Sequence, residues 1–282
     1  MTDLAYVNGQ FLPAENAVIS INDRGLQFGD SVYEVVKAYG DKPVLMDEHI
    51  LRLERSAHAL NISLNGIIEE IDRIVPEGLQ RTGFSQTIIY IQLTRGTQPR
   101  NLIFDKTIKP NLIATFRPYG LDLASMRSNG IKVSLYPDIR WAHCDLKTTN
   151  LLGNVLMKNK ANDEGCFEAI LFTEDGRVSE ACSSSVFVVK NGVLLTTPSS
   201  ENILPGVNRK YVIDIVAPQL GIPVREEHTF KDDLFTADEV FLTSTTFLVM
   251  PVIEVAGQQI ANGKPGPITM SLVEQFEKNI HN

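Results

Sequence analysis

The chain has 282 residues, 43% of them hydrophobic and 21% charged, which is ordinary for a globular enzyme. This length suffices for one large domain or two moderate ones with real cores. A net charge of −8 without a basic run argues against nucleic acid as the main partner. No run approaches the roughly 18 apolar residues of a membrane span, and the amino terminus lacks a signal-peptide pattern, so no membrane partner is expected.

Cysteine and histidine usage also narrows the class of protein. Cys144, Cys166 and Cys182 are far apart and lack metal-ligand spacing, and the histidines are scattered, so no metal site is expected. An odd number of cysteines fits a reducing compartment, and we expect a cytoplasmic protein. Glycine-rich dinucleotide, Walker, HExxH and GxSxG motifs are all missing from the sequence.

Residues 1–118 predict a small N-terminal α/β domain. An Asn8-Gly9 turn between short apolar runs is typical of a β-hairpin. A helix is expected after Asp47, a plausible N-cap, and a second helix is expected from Ile67 to the residue before Pro76.

A long loop is predicted between two strands at 87–94 and 111–117. The loop contains Arg95 and Arg100 and is long enough to project away from its own sheet. Beyond it the apolar periodicity lapses, so we place an interdomain loop at 119–124.

The second domain, residues 125–282, is richer in strands. Asp175-Gly176 and Asn191-Gly192 dipeptides between apolar runs predict hairpins. A helix is expected after Gly206, and a buried strand at 239–244 ends in a hydroxyl cluster. The expected fold class is therefore α/β (α+β), with a small N-terminal α/β domain and a larger strand-rich C-terminal domain.

Lys147 is the first candidate for chemistry. It lies between a predicted strand at 131–135 and a helix that begins near Leu151, beside Trp141 and Cys144. In such partly apolar surroundings an ammonium loses solvation, which favours the neutral amine that can attack a carbonyl. Taken alone, such a residue is more often an ordinary solvated lysine.

Three features would suit a bound anion. The segment Gly206–Asn208 opens a helix, where free N–H groups and the helix dipole attract a phosphate. The cluster Thr243–Thr246 offers hydroxyl and N–H donors at the end of a strand. Arg52 lies off the buried stripe of its helix, so it is either solvated or directed at an anion. Each feature is common when it occurs alone.

Glu180 lies in mostly uncharged surroundings, and a buried carboxylate needs a cationic partner. A solvated position at a sheet edge is the alternative. A lysine, an isolated carboxylate and a phosphate cradle together suit pyridoxal phosphate. This cofactor needs a Schiff-base lysine, an acid at its ring nitrogen and a site for its phosphate.

Eight motifs resemble, in order along nearly the whole chain, those of the fold-type IV pyridoxal-phosphate enzymes, and among them the D-amino acid aminotransferases. They are DRGLQFGDSVYEVVK at 23–37, DEHILRL at 47–53, LTRGTQPR at 93–100, DIRWAHCDLKTTNLLGN at 138–154, EAIL at 168–171, VSEACSSS at 178–185, ILPG at 203–206 and LTSTT at 242–246.

The resemblance implies roles for individual residues. Lys147 would be the Schiff-base lysine and general base, and Glu180 the partner of the pyridine nitrogen. The residues that would hold the phosphate and pack on the ring are Arg52, Leu204, Val207, Asn208 and Thr245. The residues that would hold the substrate are Tyr33, Arg100, which would reach in from the other subunit of a homodimer, and Thr246.

The implied reaction is a ping-pong transamination between D-amino acids, such as D-alanine and D-glutamate, and 2-oxoglutarate or pyruvate. A branched-chain L-amino acid aminotransferase and an aminodeoxychorismate lyase of the same fold stay open as alternatives, although the YEVVK segment and Arg100 favour the D-enzyme. A non-catalytic binding protein on this scaffold is an alternative of another class, which Lys147 and Glu180 disfavour.

The sequence departs from the family pattern at three positions. Leu102 stands where the D-specific enzymes carry a histidine, so the carboxylate trap loses one donor and substrate breadth, including (R)-amines, stays open. Asn208 stands where a threonine is usual, and both residues can donate to phosphate. Ser185 stands where an asparagine is common.

Overall fold

The computed structural model describes residues 3–200 and 202–281. The chain divides into two compact units: unit 1 is Met1–Gly120 with Leu146–Asn150, and unit 2 is Leu121–Asp145 with Leu151–Asn282. Each unit has a sheet and an apolar core of its own. Among the described residues, no helix has both the length and the apolar character that crossing a membrane requires.

Unit 1 is an antiparallel six-stranded sheet, in the order β2-β1-β6-β5-β3-β4, with helices packed against it. Its elements are β1 (Leu4–Val7), β2 (Gln10–Pro13), α1 (Arg24–Phe28), β3 (Ser31–Tyr39), β4 (Lys42–Pro43), α2 (Met46–Ala59), α3 (Ile67–Thr82), β5 (Gln86–Thr94) and β6 (Asn111–Pro118), with a 3₁₀ turn at Ala14–Asn16. The core lies on one face of this sheet, where alternate residues of β5 (Ile89, Ile91 and Leu93) are fully buried.

Two helix boundaries in unit 1 differ from the prediction. The stop before Pro76 is wrong, because α3 continues to Thr82. Pro76 is exposed, so the hydrogen bond that its ring removes lies on the solvent side, where water can satisfy the freed carbonyl. Asp47 is not the N-cap of α2; Leu45, in the left-handed region at φ 52°, holds that place, and Asp47 lies in the first turn.

Unit 2 is a nine-stranded mixed sheet in the order β12-β11-β10-β13-β14-β7-β8-β9, with β15 paired to β14. Its elements are α4 (Leu123–Asn129), β7 (Ile131–Pro137), α5 (Leu152–Asp163), β8 (Glu168–Phe172), β9 (Val178–Ala181), β10 (Ser185–Lys190), β11 (Val193–Thr196), α6 (Val207–Tyr211), α7 (Ala217–Gln219), β12 (Val224–Glu226), β13 (Glu239–Ser244), β14 (Leu248–Val255), β15 (Gln258–Gln259) and α8 (Pro267–His281). A π-helical turn at Val212–Val216 joins α6 to α7, and a 3₁₀ turn spans Lys231–Thr236.

The segment Leu146–Asn150 packs with unit 1, whereas the sequence division placed Lys147 in the C-terminal domain. The Tyr33 N–H donates to the Lys147 carbonyl (2.9 Å), and the Thr149 N–H donates to the Ser31 carbonyl (3.3 Å). The Ser31 and Thr149 hydroxyls are also hydrogen-bonded (2.6 Å). These bonds attach the segment to β3, which explains its place in unit 1.

Helix α5 forms where apolar residues recur at helical spacing, as predicted. Met157 and Ala161 are its buried residues, whereas Leu152, Val155 and Leu156 are 72%, 50% and 56% exposed. A single chain therefore leaves an apolar face of this helix uncovered.

Candidate active site

Lys147 is held by its main chain at two points in unit 1. Its N–H donates to the Ser56 hydroxyl of α2 (3.2 Å), and its carbonyl accepts the Tyr33 N–H of β3. The Lys147 ammonium lies over the Tyr33 ring, 4.3 Å from the ring centroid. The structure therefore brings together two predicted site residues, the candidate Schiff-base lysine and the candidate substrate tyrosine.

Arg52 is directed at an anion within the protein, and it is not solvated as one interpretation of the sequence had it. Its Nε and Nη2 each donate to an oxygen of Glu34 (both 2.8 Å), and His49 Nδ1 contacts the same carboxylate (2.7 Å). Burial would raise the pKa of Glu34, but Arg52 and His49 lower it to about 2. The pKa of His49 is lowered by burial, which Glu34 only partly offsets. Glu34 fixes the orientation of the Arg52 guanidinium.

Helix α2 links the candidate phosphate ligand to the lysine. Arg52 and Ser56 are four residues apart and lie on the same face of the helix. One turn of α2 therefore carries both the candidate phosphate arginine and the hydroxyl that holds the main chain of Lys147.

Tyr33 and Arg100 have different surroundings in unit 1. The Tyr33 ring stacks on Tyr90 at 5.5 Å, and burial together with Tyr33 raises the pKa of Tyr90 to about 12. Arg100 is exposed, and its guanidinium lies over the Phe28 ring (4.6 Å). Tyr33 thus packs beside Lys147, and Arg100 packs on helix α1.

Glu180 in unit 2 is buried, which decides against the alternative of a solvated position at a sheet edge. The Arg140 guanidinium and the Leu204 N–H (3.2 and 3.3 Å) donate to its carboxylate. Burial raises the pKa of Glu180, and Arg140 and the Leu204 N–H limit that rise by favouring the ionised form. The candidate ring residue Leu204 therefore adjoins the candidate ring-nitrogen partner.

Arg140 was not singled out from the sequence. Its Nε and Nη2 donate to the two oxygens of Asp138 (2.9 and 2.7 Å), and the Ser179 hydroxyl also donates to Asp138 (2.7 Å). Burial lowers the pKa of Arg140, but the two carboxylates Asp138 and Glu180 have the larger effect and raise the pKa above its ordinary value. The guanidinium therefore stays charged. The need of a buried acid for a cation predicts that Glu180 has a basic partner. No local rule identifies that partner as Arg140, which is 40 residues away in the sequence.

The start of α6 has the features of a phosphate site. Its N-cap, Gly206, makes no side-chain capping bond, and the first N–H groups of a helix lack partners within it. A Cβ at Gly206 would lie 2.8 Å from the Ser185 hydroxyl, so this close approach requires glycine. The Asn208 side chain donates to the Ser244 carbonyl (2.6 Å), and the hydroxyls of Ser244 and Thr246 are hydrogen-bonded to each other (3.0 Å).

The structure therefore groups the predicted residues of unit 2 in two places: Leu204 at Glu180, and Val207 and Asn208 beside the turn that holds Thr245 and Thr246. Uncapped N–H donors, hydroxyls and a glycine without room for a Cβ are the donor set and space that a phosphate requires. A lysine amine and a buried acid supply the other two groups. The residues present fit pyridoxal phosphate.

Comparison with known proteins defines the class. A model of the amino-transferase class IV family matches residues 31–255. The chain belongs to the class IV aminotransferases. These enzymes use pyridoxal phosphate, so the expected cofactor and the expected aminotransferase family are confirmed.

Two relatives resemble the chain over nearly its whole length. The D-alanine aminotransferase of Staphylococcus haemolyticus is 39% identical over 276 residues, which is 98% of this chain and 97% of that one. The D-alanine aminotransferase of Bacillus licheniformis is 37% identical over 273 residues, which is 97% of this chain and 95% of that one.

Solved structures show the same architecture. The branched-chain amino acid aminotransferase of Escherichia coli superposes with a TM-score of 0.91 at 27% identity, covering 99% of this chain and 94% of that one. The T.th. branched-chain amino acid aminotransferase with pyridoxamine 5′-phosphate gives a TM-score of 0.92 with the same identity and coverage. The predicted fold-type IV architecture, with a small antiparallel sheet and a larger mixed sheet, is confirmed.

Proposed function

We propose that this class IV aminotransferase transfers amino groups between D-amino acids, such as D-alanine and D-glutamate, and 2-oxo acids, such as 2-oxoglutarate and pyruvate, in two half-reactions. The observation that carries the proposal is the 39% identity to a D-alanine aminotransferase along essentially the full chain, against 27% for the branched-chain enzymes with the same fold. When bound, pyridoxal phosphate supplies a ring that accepts the electrons left at the substrate Cα.

Lys147 acts in this proposal as the base that takes the proton from the substrate Cα and then donates it to the cofactor. Ser56 and Tyr33 support that role, because they fix the main chain of Lys147 on both sides and leave its side chain to move. The Tyr33 ring beneath the ammonium stabilises the cation that forms when the lysine takes a proton.

Glu180 holds a proton at the ring nitrogen. For this it must be ionised, and Arg140 together with the Leu204 N–H favours that state against the cost of burial. Leu204 would contact the ring with its side chain.

The phosphate is assigned to Arg52 and to the start of α6, where Val207 and Asn208 supply N–H groups and Thr245 lies in the adjacent turn. Glu34 and His49 support this assignment, because they hold the Arg52 guanidinium in one orientation.

The substrate α-carboxylate is assigned to Tyr33 and Arg100, Thr246 is assigned to the substrate as well, and Arg100 is assigned to the site of a second copy in a homodimer. Exposed apolar residues support such a partner. Besides the face of α5, Leu26 is 64% exposed, and Leu102 and Ile103 are 80% and 78% exposed. A cytoplasmic location remains a prediction from the sequence.

A branched-chain L-amino acid aminotransferase is the second candidate, because the solved structures with the same fold include such enzymes. Half-reactions of the holoenzyme with both enantiomers of alanine, glutamate and leucine, followed in the cofactor spectrum, separate the two. We expect D-alanine and D-glutamate to convert the cofactor and L-leucine to leave it unchanged. Conversion by L-leucine alone would establish the second candidate and end the first.

A further inference from the structure

We propose that Arg24 is a positioning residue that sets the place of Arg100 through the main chain of the Arg100 loop, defined as residues 95–110 between β5 and β6. The inference rests on the proposed function, in which Arg100 contacts the substrate α-carboxylate. Arg24 itself would touch neither substrate nor cofactor.

The Arg24 guanidinium donates hydrogen bonds to two carbonyl groups of the loop. Arg24 is 4% exposed; its Nη1 donates to the Asn101 carbonyl (2.5 Å) and its Nη2 to the Leu102 carbonyl (3.2 Å). These are the two carbonyls that follow Arg100 in the chain. A guanidinium presents its donors in a rigid planar fork, so binding both carbonyls fixes the direction of the main chain beside Arg100.

Asp30 joins this contact to the rest of unit 1. One oxygen of Asp30 accepts hydrogen bonds from Arg24 Nε (2.8 Å) and Arg95 Nε (2.7 Å). Arg95 in turn donates to the carbonyls of Leu60 and Asn61 (2.8 and 3.0 Å), just beyond the end of α2. Burial raises the pKa of Asp30, but the two arginines lower it below its ordinary value, so the carboxylate stays charged. The base of the loop is therefore tied to the helix that carries Arg52.

Two aromatic rings complete the anchor. Phe104 lies under the guanidinium of Arg95 (3.8 Å) and near that of Arg24 (5.8 Å). Phe28 contacts both Arg24 (4.8 Å) and Arg100 (4.6 Å). Because Phe28 is the last residue of α1 and Arg24 the first, this short helix contacts the Arg100 loop from both of its ends.

The anchor also explains how a leucine is accommodated at position 102. The residue contributes its carbonyl to Arg24, while its side chain is 80% exposed. Any residue can supply that carbonyl, so the position of Arg100 does not depend on a histidine side chain there. Binding of the substrate carboxylate by Arg100 then depends on Arg24, which keeps the loop in place.

The variant Arg24→Lys tests this, because an ammonium keeps the charge beside Asp30 but has no fork for two carbonyls. Arg127→Lys is the matched control: Arg127 is also buried, donates to the Val249 and Phe247 carbonyls (3.2 and 2.9 Å) and pairs with an acid, but it lies in unit 2. We would measure amide hydrogen exchange of residues 95–110 in the full chain with and without cofactor. We would also measure half-reactions with D-alanine and with methoxyamine, a nucleophile without a carboxylate.

For Arg24→Lys we expect exchange in the loop to be about tenfold faster and the apparent dissociation constant for D-alanine to rise about tenfold, with the limiting rate changed less than about threefold. The methoxyamine reaction should match wild type, and exchange of residues 95–110 in the control variant should match that of wild type. Unchanged exchange with an unchanged D-alanine constant overturns the inference. Equal losses with D-alanine and methoxyamine also overturn it, because they indicate general damage.

If Arg24→Lys does not fold, Phe104→Ala replaces it, since Phe104 is a half-buried loop residue, and the same selective loss is expected. Failure of the proposed function is distinguishable from failure of this inference. A wild-type holoenzyme that does not react with D-alanine contradicts the proposed function. In that case hydrogen exchange still tests the anchor: faster exchange of the loop in Arg24→Lys supports it, and unchanged exchange contradicts it.

Discussion

Arg140 donates a hydrogen bond to the carboxylate of Glu180, and their side chains are only 4% and 8% exposed. Asp138 binds the other edge of the same guanidinium, so the cation cannot swing away without losing two further bonds. Since burial raises the pKa of Glu180 and Arg140 opposes that rise, the charge on the acid depends on the arginine. An arginine that need not touch cofactor or substrate thus controls the proton at the ring nitrogen in the proposed mechanism.

Replacing Arg140 with Met leaves Glu180 buried without its cation, and we expect the carboxyl group to become protonated. A neutral acid cannot keep the ring nitrogen protonated, so the rate of the D-alanine half-reaction should fall about 100-fold, within the usual range for losing an acid–base group. Stopped-flow absorbance measures the rate, and circular dichroism checks the fold. Arg140→Lys, which keeps the charge, should lose less than about tenfold. Wild-type rates in Arg140→Met would contradict the role.

The hairpins and most strands could be predicted because their signals are local. Asn8-Gly9 and Asn191-Gly192 turn the chain within a few residues, and both hairpins form there. The helix start at Gly206 was also predicted from neighbouring residues, whereas those residues left both burial and a solvated sheet edge open for Glu180. Pro76 misled the prediction because its effect depends on which side of the helix faces solvent, which is decided by packing.

Local sequence patterns could not predict which residues the candidate site residues bond to. Ser56 bonds to the main chain of Lys147 across 91 residues, and Arg140 bonds to Glu180 across 40. Arg52 pairs with Glu34 across 18 residues, from a helix to a strand. Each partner is chosen by tertiary packing, and periodicity carries no information about it. The resemblance to a family identified the candidate residues, and the structure supplied what holds them.

Changing Lys147 to Ala should abolish transamination and leave the fold intact, because the bonds that hold this segment are made by main-chain groups that alanine keeps. Lys160→Ala is the control, since Lys160 is an exposed lysine of unit 2. Borohydride reduction of the wild-type holoenzyme followed by peptide mapping should place the cofactor adduct at 147. An adduct at another lysine, or residual turnover of Lys147→Ala near the wild-type rate, would remove Lys147 from its proposed role.

Gly206→Ala should weaken cofactor binding, because a Cβ there would lie 2.8 Å from the Ser185 hydroxyl and push the start of α6 away. We expect the dissociation constant for pyridoxal phosphate to rise about tenfold in titrations of the cofactor-free chain. Gly120→Ala is the matched control, since a Cβ at Gly120 meets nothing within 4 Å. Adding Ser185→Ala should recover most of the affinity by removing the clashing hydroxyl. Unchanged binding in Gly206→Ala would exclude this helix start as the phosphate site.

Glu34 should make unit 1 sensitive to acid. Its pKa is about 2 in the folded chain, against an ordinary value of 4.5, because Arg52 and His49 outweigh the effect of burial. The unfolded chain therefore takes up the proton at a higher pH than the folded chain does. The stabilisation is complete above the unfolded value, and it is lost as the pH falls from about 4.5 toward 2.

Between pH 5 and pH 3 this linkage amounts to about 2 kcal/mol of the free energy of unfolding. Urea unfolding of the cofactor-free chain at both pH values should show wild type losing about 2 kcal/mol more than Glu34→Gln, which has no such proton to bind. Glu69→Gln, at an exposed position of α3, should follow wild type. Equal losses for wild type and Glu34→Gln would mean that the carboxylate does not hold Arg52 as an ion pair, and Glu34 would then not orient the candidate phosphate arginine.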